Sequence, residues 1–175
     1  RLPGSLAHLH RYLDEEMRPA FQAMGFTCKV YDNPFPNQGP VLLATRIEDA
    51  KLPTVLGYGH GDVIHGLDDA WTKGKGPWVI ARDGDKIYGR GTADNKAQHT
   101  INMAALKAVL DERGGKLGFN VKFMIEMGEE AGSKGLKELV AANTRDFAAD
   151  LLMASDGPRV NPARPTLTLG CRGAL

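Results

Sequence analysis

The chain has 175 residues, of which 42% are hydrophobic and 25% are charged, values that are typical of one soluble globular domain. The 22 Lys and Arg residues nearly balance the 21 Asp and Glu residues, and without a basic stripe the sequence gives no indication of nucleic-acid binding. No segment approaches the ~20 consecutive apolar residues that a membrane-spanning helix needs, so no membrane association is expected.

The first part of the chain predicts one helix followed by three strands. Apolar residues at helical spacing predict a helix over residues 5–24. Strand patterns occupy residues 26–31 and 41–47, and a segment rich in turn residues separates them. Residues 53–58 form a short apolar strand that leads directly to His60.

The second part alternates helices and strands. Residues 61–85 are expected to form a long loop, and in a compact domain such a loop is often functional. A strand is predicted over 120–127 and a short helix over 133–142, and two further strands over 150–154 and 166–170. The intervening helix is predicted over residues 97–110, with its buried face formed by Ala97, Ile101, Ala104, Ala105, Ala108 and Val109.

This alternation predicts an α/β sandwich with a largely parallel sheet, in which sites form at the carboxyl ends of the strands. Acidic side chains and one histidine occupy such positions. Each of them alone is unremarkable, because Asp before Gly is an ordinary turn residue and a carboxylate before a helix complements its dipole. The residues concerned are His60 and Asp62 in Gly-His-Gly-Asp, Asp94 in Gly-Arg-Gly-Thr-Ala-Asp-Asn-Lys, Glu129 and Glu130 in Met-Gly-Glu-Glu-Ala-Gly-Ser, and Asp156 in Ser-Asp-Gly.

Taken together and in this order, the four motifs resemble the co-catalytic zinc peptidases. That family includes aminoacylase, carnosinase-type dipeptidases, glutamate carboxypeptidase, and the acetylornithine and succinyl-diaminopimelate deacylases. The resemblance extends over residues 54–173 and is far more specific than a lone His-x-Asp pair. It implies an α/β fold, a three-layer α/β/α sandwich with a mixed, largely parallel sheet.

The resemblance implies a site for two zinc ions, with Co²⁺ or Mn²⁺ as alternatives. His60 and Asp156 would bind one zinc, Glu130 would bind the other, and Asp94 would bridge them. Two metals about 3.5–4 Å apart need such a shared carboxylate.

Two further carboxylates would have catalytic roles. Asp62 would orient the His60 imidazole through its other ring nitrogen. Glu129 would be the general base, which takes a proton from the metal-bridging water as the water attacks the scissile carbonyl. His99, five residues beyond Asp94, stays outside this set, and contact with substrate is the one functional role considered for it.

The resemblance also implies parts that residues 1–175 lack. In the family, one zinc takes a further His from the C-terminal part of the catalytic domain, and no His follows Asp156. The family's chain enters a small lid or dimerisation domain after a Gly-x-Arg-Gly strand, which residues 170–173 match. We therefore expect residues 1–175 to be the N-terminal part of a catalytic domain, inactive alone, whose parent protein forms a homodimer through the absent domain.

The expected function is hydrolysis of an amide or peptide bond in a small peptide, of the exopeptidase or dipeptidase type. A deacylase of N-acyl amino acids would use the same metal chemistry, and these residues do not separate the two. A catalytically silent protein would be expected to have lost at least one member of the site, and Gly89-x-Gly91 lacks the third glycine of a dinucleotide-binding fingerprint. Cys28 and Cys171 form no cysteine cluster, which favours free thiols in a reducing compartment such as the cytoplasm.

Overall fold

The computed structural model describes residues 5–157 together with residues 160, 161, 163, 164, 166 and 167. The strands are β1 (Thr27–Tyr31), β2 (Val41–Arg46), β3 (Thr54–His60), β4 (Ala81–Asp83), β5 (Lys86–Tyr88), β6 (Asn120–Glu126) and β7 (Leu151–Ala154). The α-helices are α1 (Ser5–Arg11), α2 (Arg18–Ala23), α3 (Lys96–Glu112), α4 (Leu136–Ala142) and α5 (Thr144–Phe147). A π-helical segment (Tyr12–Met17) joins α1 to α2, and short 3₁₀ turns lie at Asp68–Ala70 and Glu129–Ala131.

Five strands form a mixed sheet in the order β1-β2-β6-β3-β7. The strand β2 pairs antiparallel with β1 and β6, whereas β3 pairs parallel with β6 and β7. Four of these five strands therefore run in one direction, which confirms the predicted mixed, largely parallel sheet. The carboxyl ends of β6, β3 and β7 consequently lie side by side, where sites form in such sheets.

Helices cover both faces of this sheet. Successive side chains of a strand point to opposite faces, so neighbouring residues of one strand pack against different helices. Phe123 of β6 lies in one core cluster with Phe21 of α2 and Met103 of α3. The next residue along β6, Met124, lies in a second cluster with Leu139 of α4. The two clusters on opposite faces confirm the three-layer α/β/α architecture.

The N-terminal helix is helical over the predicted range but widens in its middle. Leu13 and Met17 of the π-helical segment are buried, as the apolar spacing predicts. Pro19 follows this segment, and it has no N–H to donate to the carbonyl of Glu15 four residues back. Its ring would also press on that carbonyl, so a wider turn at this point relieves the crowding. The helix ends before Gly25, which has a φ of 79°.

The helix α3 buries a different face from the predicted one. His99, Met103 and Leu110 are buried, whereas Ile101 is 57% exposed and Val109 is 36% exposed. The predicted face was wrong because it consisted mostly of alanine. Burial of the larger Met and Leu side chains removes more apolar surface from water, and it therefore determines which face turns inward.

Three other elements differ from the expectation. The predicted loop over 61–85 carries the first strand of the β4–β5 hairpin, whose three-residue strands are too short to give a recognisable pattern. The helix α4 begins at Leu136 rather than at residue 133, because Ser133 and Gly135 have φ values of 49° and 88° that a right-handed helix excludes. The predicted strand over 166–170 extends beyond the described residues, and Cys171 lies outside them.

None of the helices in the described part of the chain combines the length and the hydrophobicity needed to cross a membrane.

Candidate metal centre

The carboxyl ends of three adjacent parallel strands bring the candidate residues together. His60 is the last residue of β3, the strand between β6 and β7. Glu129 and Glu130 follow β6, and Asp156 follows β7. Asp94 reaches the same place from the turn that precedes α3. The predicted convergence of these side chains at one end of the sheet is thus present in the structure.

The imidazole of His60 is the centre of this cluster. Its Nε2 atom lies 3.1 Å from Oδ1 of Asp94, 3.7 Å from Oε2 of Glu129 and 3.7 Å from Oδ2 of Asp156. The His60 side chain is 1% exposed, whereas that of Asp94 is 67% exposed. The imidazole therefore forms the floor of the site and the carboxylates form its solvent-facing wall.

Asp62 contacts both the imidazole and the turn that carries the two glutamates. The Nδ1 atom of His60 lies 3.4 Å from Asp62 Oδ1 and 3.2 Å from the main-chain oxygen of Asp62. A proton on Nδ1 satisfies these acceptors, and Nε2 is directed at the other carboxylates. The two carboxylate oxygens of Asp62 accept the backbone N–H groups of Glu129 and Glu130, each at 3.1 Å.

Two sets of side chains place their ligand atoms within 4.8 Å of one another in the described part of the chain. One set consists of His60, Asp94 and Asp156, which are the residues expected at one zinc and its bridge. The other consists of His60, Glu129 and Glu130. Glu130 therefore groups with Glu129 in this geometry, whereas the resemblance implies a zinc held by Glu130 and Asp94.

The chemistry of this donor set fits a divalent cation. Burial alone would lower the pKa of His60, but the hydrogen bond and charge of Asp62, followed by the charges of Asp156 and Glu129, raise it to about 9. Carboxylates held this close repel one another, and a bound cation would relieve the repulsion. An imidazole with carboxylate oxygens is also a ligand set that zinc accepts.

Glu129 has the environment of a base rather than that of a solvated surface carboxylate. Burial raises the pKa of Glu129, and the charges of Asp156, Glu130 and Asp62 raise it further against the opposing effect of His60. Its side chain is 39% exposed, so water and substrate can reach it. A carboxylate with a raised pKa accepts a proton more readily.

A buried carboxylate in β6 supports the turn that carries Glu129 and Glu130, and it was not predicted from the sequence. Glu126 is 2% exposed and accepts hydrogen bonds from the Tyr58 hydroxyl at 2.7 Å and the Ser133 hydroxyl at 2.9 Å. Burial raises the pKa of Glu126, although these two hydrogen bonds oppose the effect. It links the end of β3 to the loop beyond Glu130. An acidic residue at the end of a mostly apolar strand was the available signal.

Asn95 and His99 also belong to the surroundings of the site. Asn95 is 0% exposed, and its side-chain oxygen accepts the backbone N–H of His60 at 3.1 Å. His99 is 0% exposed as well, so the substrate contact considered for it is wrong. Asn95 directly follows Asp94 in the motif, which was a usable signal, whereas nothing in the sequence indicates the partner of His99.

Comparisons with known proteins match most of this chain. The model of peptidase family M20/M25/M40 matches residues 56–166. The Beta-Ala-His dipeptidase of Mus musculus is 38% identical over 139 residues, which are 77% of this chain and 27% of that protein. The Cysteinylglycine-S-conjugate dipeptidase of Corynebacterium striatum is 33% identical over 143 residues, or 81% of this chain and 30% of that protein.

Solved structures resemble the fold over most of the chain. Human carnosine dipeptidase 1 has a TM-score of 0.79 and 31% identity, and the match covers 91% of this chain and 35% of that one. The M20 family metallo-carboxypeptidase Sso-CP2 of Sulfolobus solfataricus has a TM-score of 0.75 and 28% identity, with 90% and 34% covered. The chain thus spans about a third or less of the length of these relatives. With its family model matched over residues 56–166 and its motifs gathered at one end of the sheet, the chain belongs to peptidase family M20/M25/M40.

Proposed function

We propose that this chain forms the metal-binding and water-activating part of a zinc-dependent hydrolase that cleaves dipeptides. The observation that carries the proposal is the single imidazole nitrogen of His60 with three carboxylates within 3.7 Å. The names of two relatives, a Beta-Ala-His dipeptidase and a Cysteinylglycine-S-conjugate dipeptidase, support dipeptides as the substrate class. Because the chain spans 27% and 30% of those proteins, the activity is proposed for the full-length protein.

The residues available to zinc form an asymmetric set. His60, Asp94 and Asp156 would hold one ion, and Glu130 would hold a second ion that shares Asp94. A ligand outside residues 1–175 would complete the second position, so we propose that the chain is the N-terminal part of the catalytic domain. When bound, zinc polarises the scissile carbonyl and lowers the pKa of water.

The chain's own residues account for the movement of the proton. Glu129 would accept a proton from the attacking water and donate it to the leaving nitrogen, so that the products are a carboxylate and an amine. Asp62 would hold the Glu129 carboxylate in place through the backbone N–H of Glu129, which it accepts at 3.1 Å. Asp62 would also keep the proton of His60 on Nδ1, which leaves Nε2 free to bind metal.

Four finer assignments concern the substrate class, the metal, the oligomeric state and the location of the full-length protein. The relatives described above are dipeptidases and a carboxypeptidase, so they favour a peptidase over a deacylase of N-acyl amino acids. We propose zinc as the resident metal, with Co²⁺ or Mn²⁺ as alternatives, and a homodimeric parent protein. We also propose a cytoplasmic location, which the free thiol of Cys28 supports.

Activity measurements on the full-length protein test the proposal. β-Ala-His, Cys-Gly and an N-acetyl amino acid would be offered in parallel, before and after removal of metal by a chelator. We expect hydrolysis of at least one dipeptide, its loss with chelator and its return with zinc. Hydrolysis of the N-acetyl amino acid alone, or dipeptide hydrolysis that resists the chelator, would contradict the proposal.

A further inference from the structure

A chain of buried and partly buried hydrogen bonds runs from the N-terminal helix to the metal centre through Tyr12, His99 and Asn95. The Tyr12 hydroxyl lies 2.7 Å from Nε2 of His99, and Nδ1 of His99 lies 3.1 Å from Oδ1 of Asn95. Tyr12 and His99 are 87 residues apart in the sequence. None of these three side chains belongs to the ligand sets described above.

The Asn95 side chain joins three segments that carry candidate ligands. Its Oδ1 accepts the backbone N–H of His60 at 3.1 Å, and its Nδ2 donates to the main-chain oxygen of Ser155 at 3.1 Å. Ser155 directly precedes Asp156, and Asn95 itself directly follows Asp94. One fully buried amide therefore fixes the end of β3, the end of β7 and the turn before α3 relative to one another.

These contacts determine the protonation of His99. The amide nitrogen of Asn95 donates to the main-chain oxygen of Ser155 and to Oε1 of Gln98, which fixes the orientation of the amide. The atom that faces His99 is therefore the amide oxygen, which can only accept a hydrogen bond. The Nδ1 atom of His99 must therefore carry the proton. Its Nε2 atom then has the lone pair and accepts from the Tyr12 hydroxyl. Burial, followed by the charges of Lys96 and His60, lowers the pKa of His99 to about 4, which keeps the ring neutral.

The backbone around Tyr12 places its side chain next to the imidazole of His99. Tyr12 is the first residue of the π-helical segment, a geometry that occurs frequently at functional sites. The Nζ atom of Lys96 lies 5.1 Å from the centre of the Tyr12 ring and donates to the main-chain oxygen of Gly61 at 2.6 Å. The Tyr12 hydroxyl thus bonds to His99 while its ring lies near Lys96 and Gly61.

We propose that Tyr12, His99 and Asn95 are positioning residues that hold the metal-ligand segments of β3, β7 and the turn before α3 in register for zinc. The proposal rests on the proposed metal site, because its effect is measured at zinc. Tyr12 is its most informative member, since its hydroxyl bonds to His99 rather than to a candidate ligand and acts through two intermediate side chains. Loss of a group that hydrogen-bonds directly to a metal ligand weakens metal binding by about 10–100-fold, and we expect the more distant Tyr12 to lie at the lower end of that range.

The test compares Tyr12→Phe with Tyr31→Phe in the full-length protein. Tyr31→Phe is the matched control, because it also removes one hydroxyl that donates a hydrogen bond, to Asp146, but it does so in the cluster on the other face of the sheet. Zinc dissociation constants would be measured by competition with a fluorescent chelator. Long-range ¹H–¹⁵N spectra of protein labelled at histidine would identify the protonated nitrogen of His99, and hydrogen exchange would be measured at the His60 amide.

We expect Tyr12→Phe to weaken zinc binding by about 10-fold, whereas Tyr31→Phe leaves it within about twofold of the wild type. We also expect an Nδ1-protonated His99 in the wild type and faster exchange of the His60 amide in Tyr12→Phe. Equal zinc affinity of Tyr12→Phe and the wild type, or an Nε2-protonated His99 in the wild type, would overturn the proposal. The protonation of His99 in the wild-type spectrum can overturn the proposal even if Tyr12→Phe does not fold.

A wild-type protein that binds no zinc would contradict the proposed function rather than the hydrogen-bond network. In that case the protonation of His99 and the exchange of the His60 amide still support or overturn the positioning roles. The two proposals can therefore fail separately.

Discussion

The carboxylate of Asp62 faces the imidazole of His60, with 3.4 Å between Asp62 Oδ1 and His60 Nδ1. The same carboxylate accepts the backbone N–H groups of the Glu129–Glu130 turn. Asp62 is only 7% exposed, so these contacts are largely shielded from water. One buried side chain thus sets both the orientation of a candidate ligand and the position of the candidate base.

Asp62→Asn is therefore expected to impair two properties together. The amide nitrogen would face a backbone N–H that needs an acceptor, and an unsatisfied buried donor costs about 1–3 kcal/mol of the free energy of unfolding. Zinc affinity should fall by about 10–100-fold, because the orienting charge on His60 is lost. Urea unfolding and zinc competition would measure the two effects. Asp85→Asn, at an exposed turn, is the control, and an equal effect there would refute the role of Asp62.

His60→Ala should remove zinc almost completely. Both candidate ligand sets depend on this one imidazole, so its loss leaves only carboxylates. We expect the zinc dissociation constant to rise by more than about 100-fold, beyond the effect of losing an outer partner. His65→Ala removes an exposed histidine five residues away and should leave zinc binding unchanged. Metal analysis after dialysis distinguishes the two, and retention of zinc by His60→Ala would contradict the site.

Glu129 and Glu130 should show different roles when each is changed to glutamine in the full-length protein. Glu129→Gln is expected to keep its zinc and to lower kcat by about 100-fold or more, because the amide accepts no proton. Glu130→Gln is expected to lose metal instead. Zinc content and kcat measured on the same preparations test this. If Glu129→Gln loses zinc while Glu130→Gln keeps it, the two roles are reversed.

His99 should make stability depend on pH between 6.5 and about 4. Burial lowers the pKa of His99, so on acidification the unfolded chain takes up this proton before the folded chain does. The stabilisation is complete above pH 6.5 and is lost as the pH falls to about 4, at about 1.4 kcal/mol per pH unit. Urea unfolding of metal-free wild type and His99→Gln should show this extra loss only in the wild type. Parallel pH profiles would contradict it.

Residues 1–175 alone are expected to bind one zinc firmly and to hydrolyse no dipeptide. The Nε2 atom of His60 can bind one ion, and the second set then retains only the two glutamates. Substrate would also lack the orientation that contributes about 7–11 kcal/mol in well-positioned reactions. Zinc titration and a dipeptide assay check both points. Chelator-sensitive hydrolysis that Glu129→Gln abolishes would show that the piece is sufficient.

Much of the fold could be predicted from local patterns, because the sheet and helix signals are periodic and long. The strand ending at His60 and the strand β6 both occupy their predicted places within two residues. The hairpin of β4 and β5 could not be predicted, since a three-residue strand contains little more than one period of alternation. The inward face of α3 was ambiguous because alanines surround the few large side chains.

The candidate site could likewise be predicted where its residues lie in local motifs, but not where they depend on distant contacts. Its carboxylates lie in short motifs directly after strands, and these positions are visible in the sequence. The contacts that hold them are not local: Tyr12 meets His99 across 87 residues, and Tyr58 meets Glu126 across 68. Such pairs depend on how helices and strands pack, which no pattern of neighbouring residues specifies.

The placement of His60 at the end of an interior strand links the metal to the whole fold. His60 is opposite Glu126 in the β3–β6 register, and a shift of one residue would turn its imidazole to the other face of the sheet. A zinc ion that binds only the correctly paired sheet therefore raises the free energy of unfolding, by about 2.7 kcal/mol at one hundred times its dissociation constant. Melting temperatures recorded with different divalent ions would rank the metals that this site prefers before any substrate has been identified.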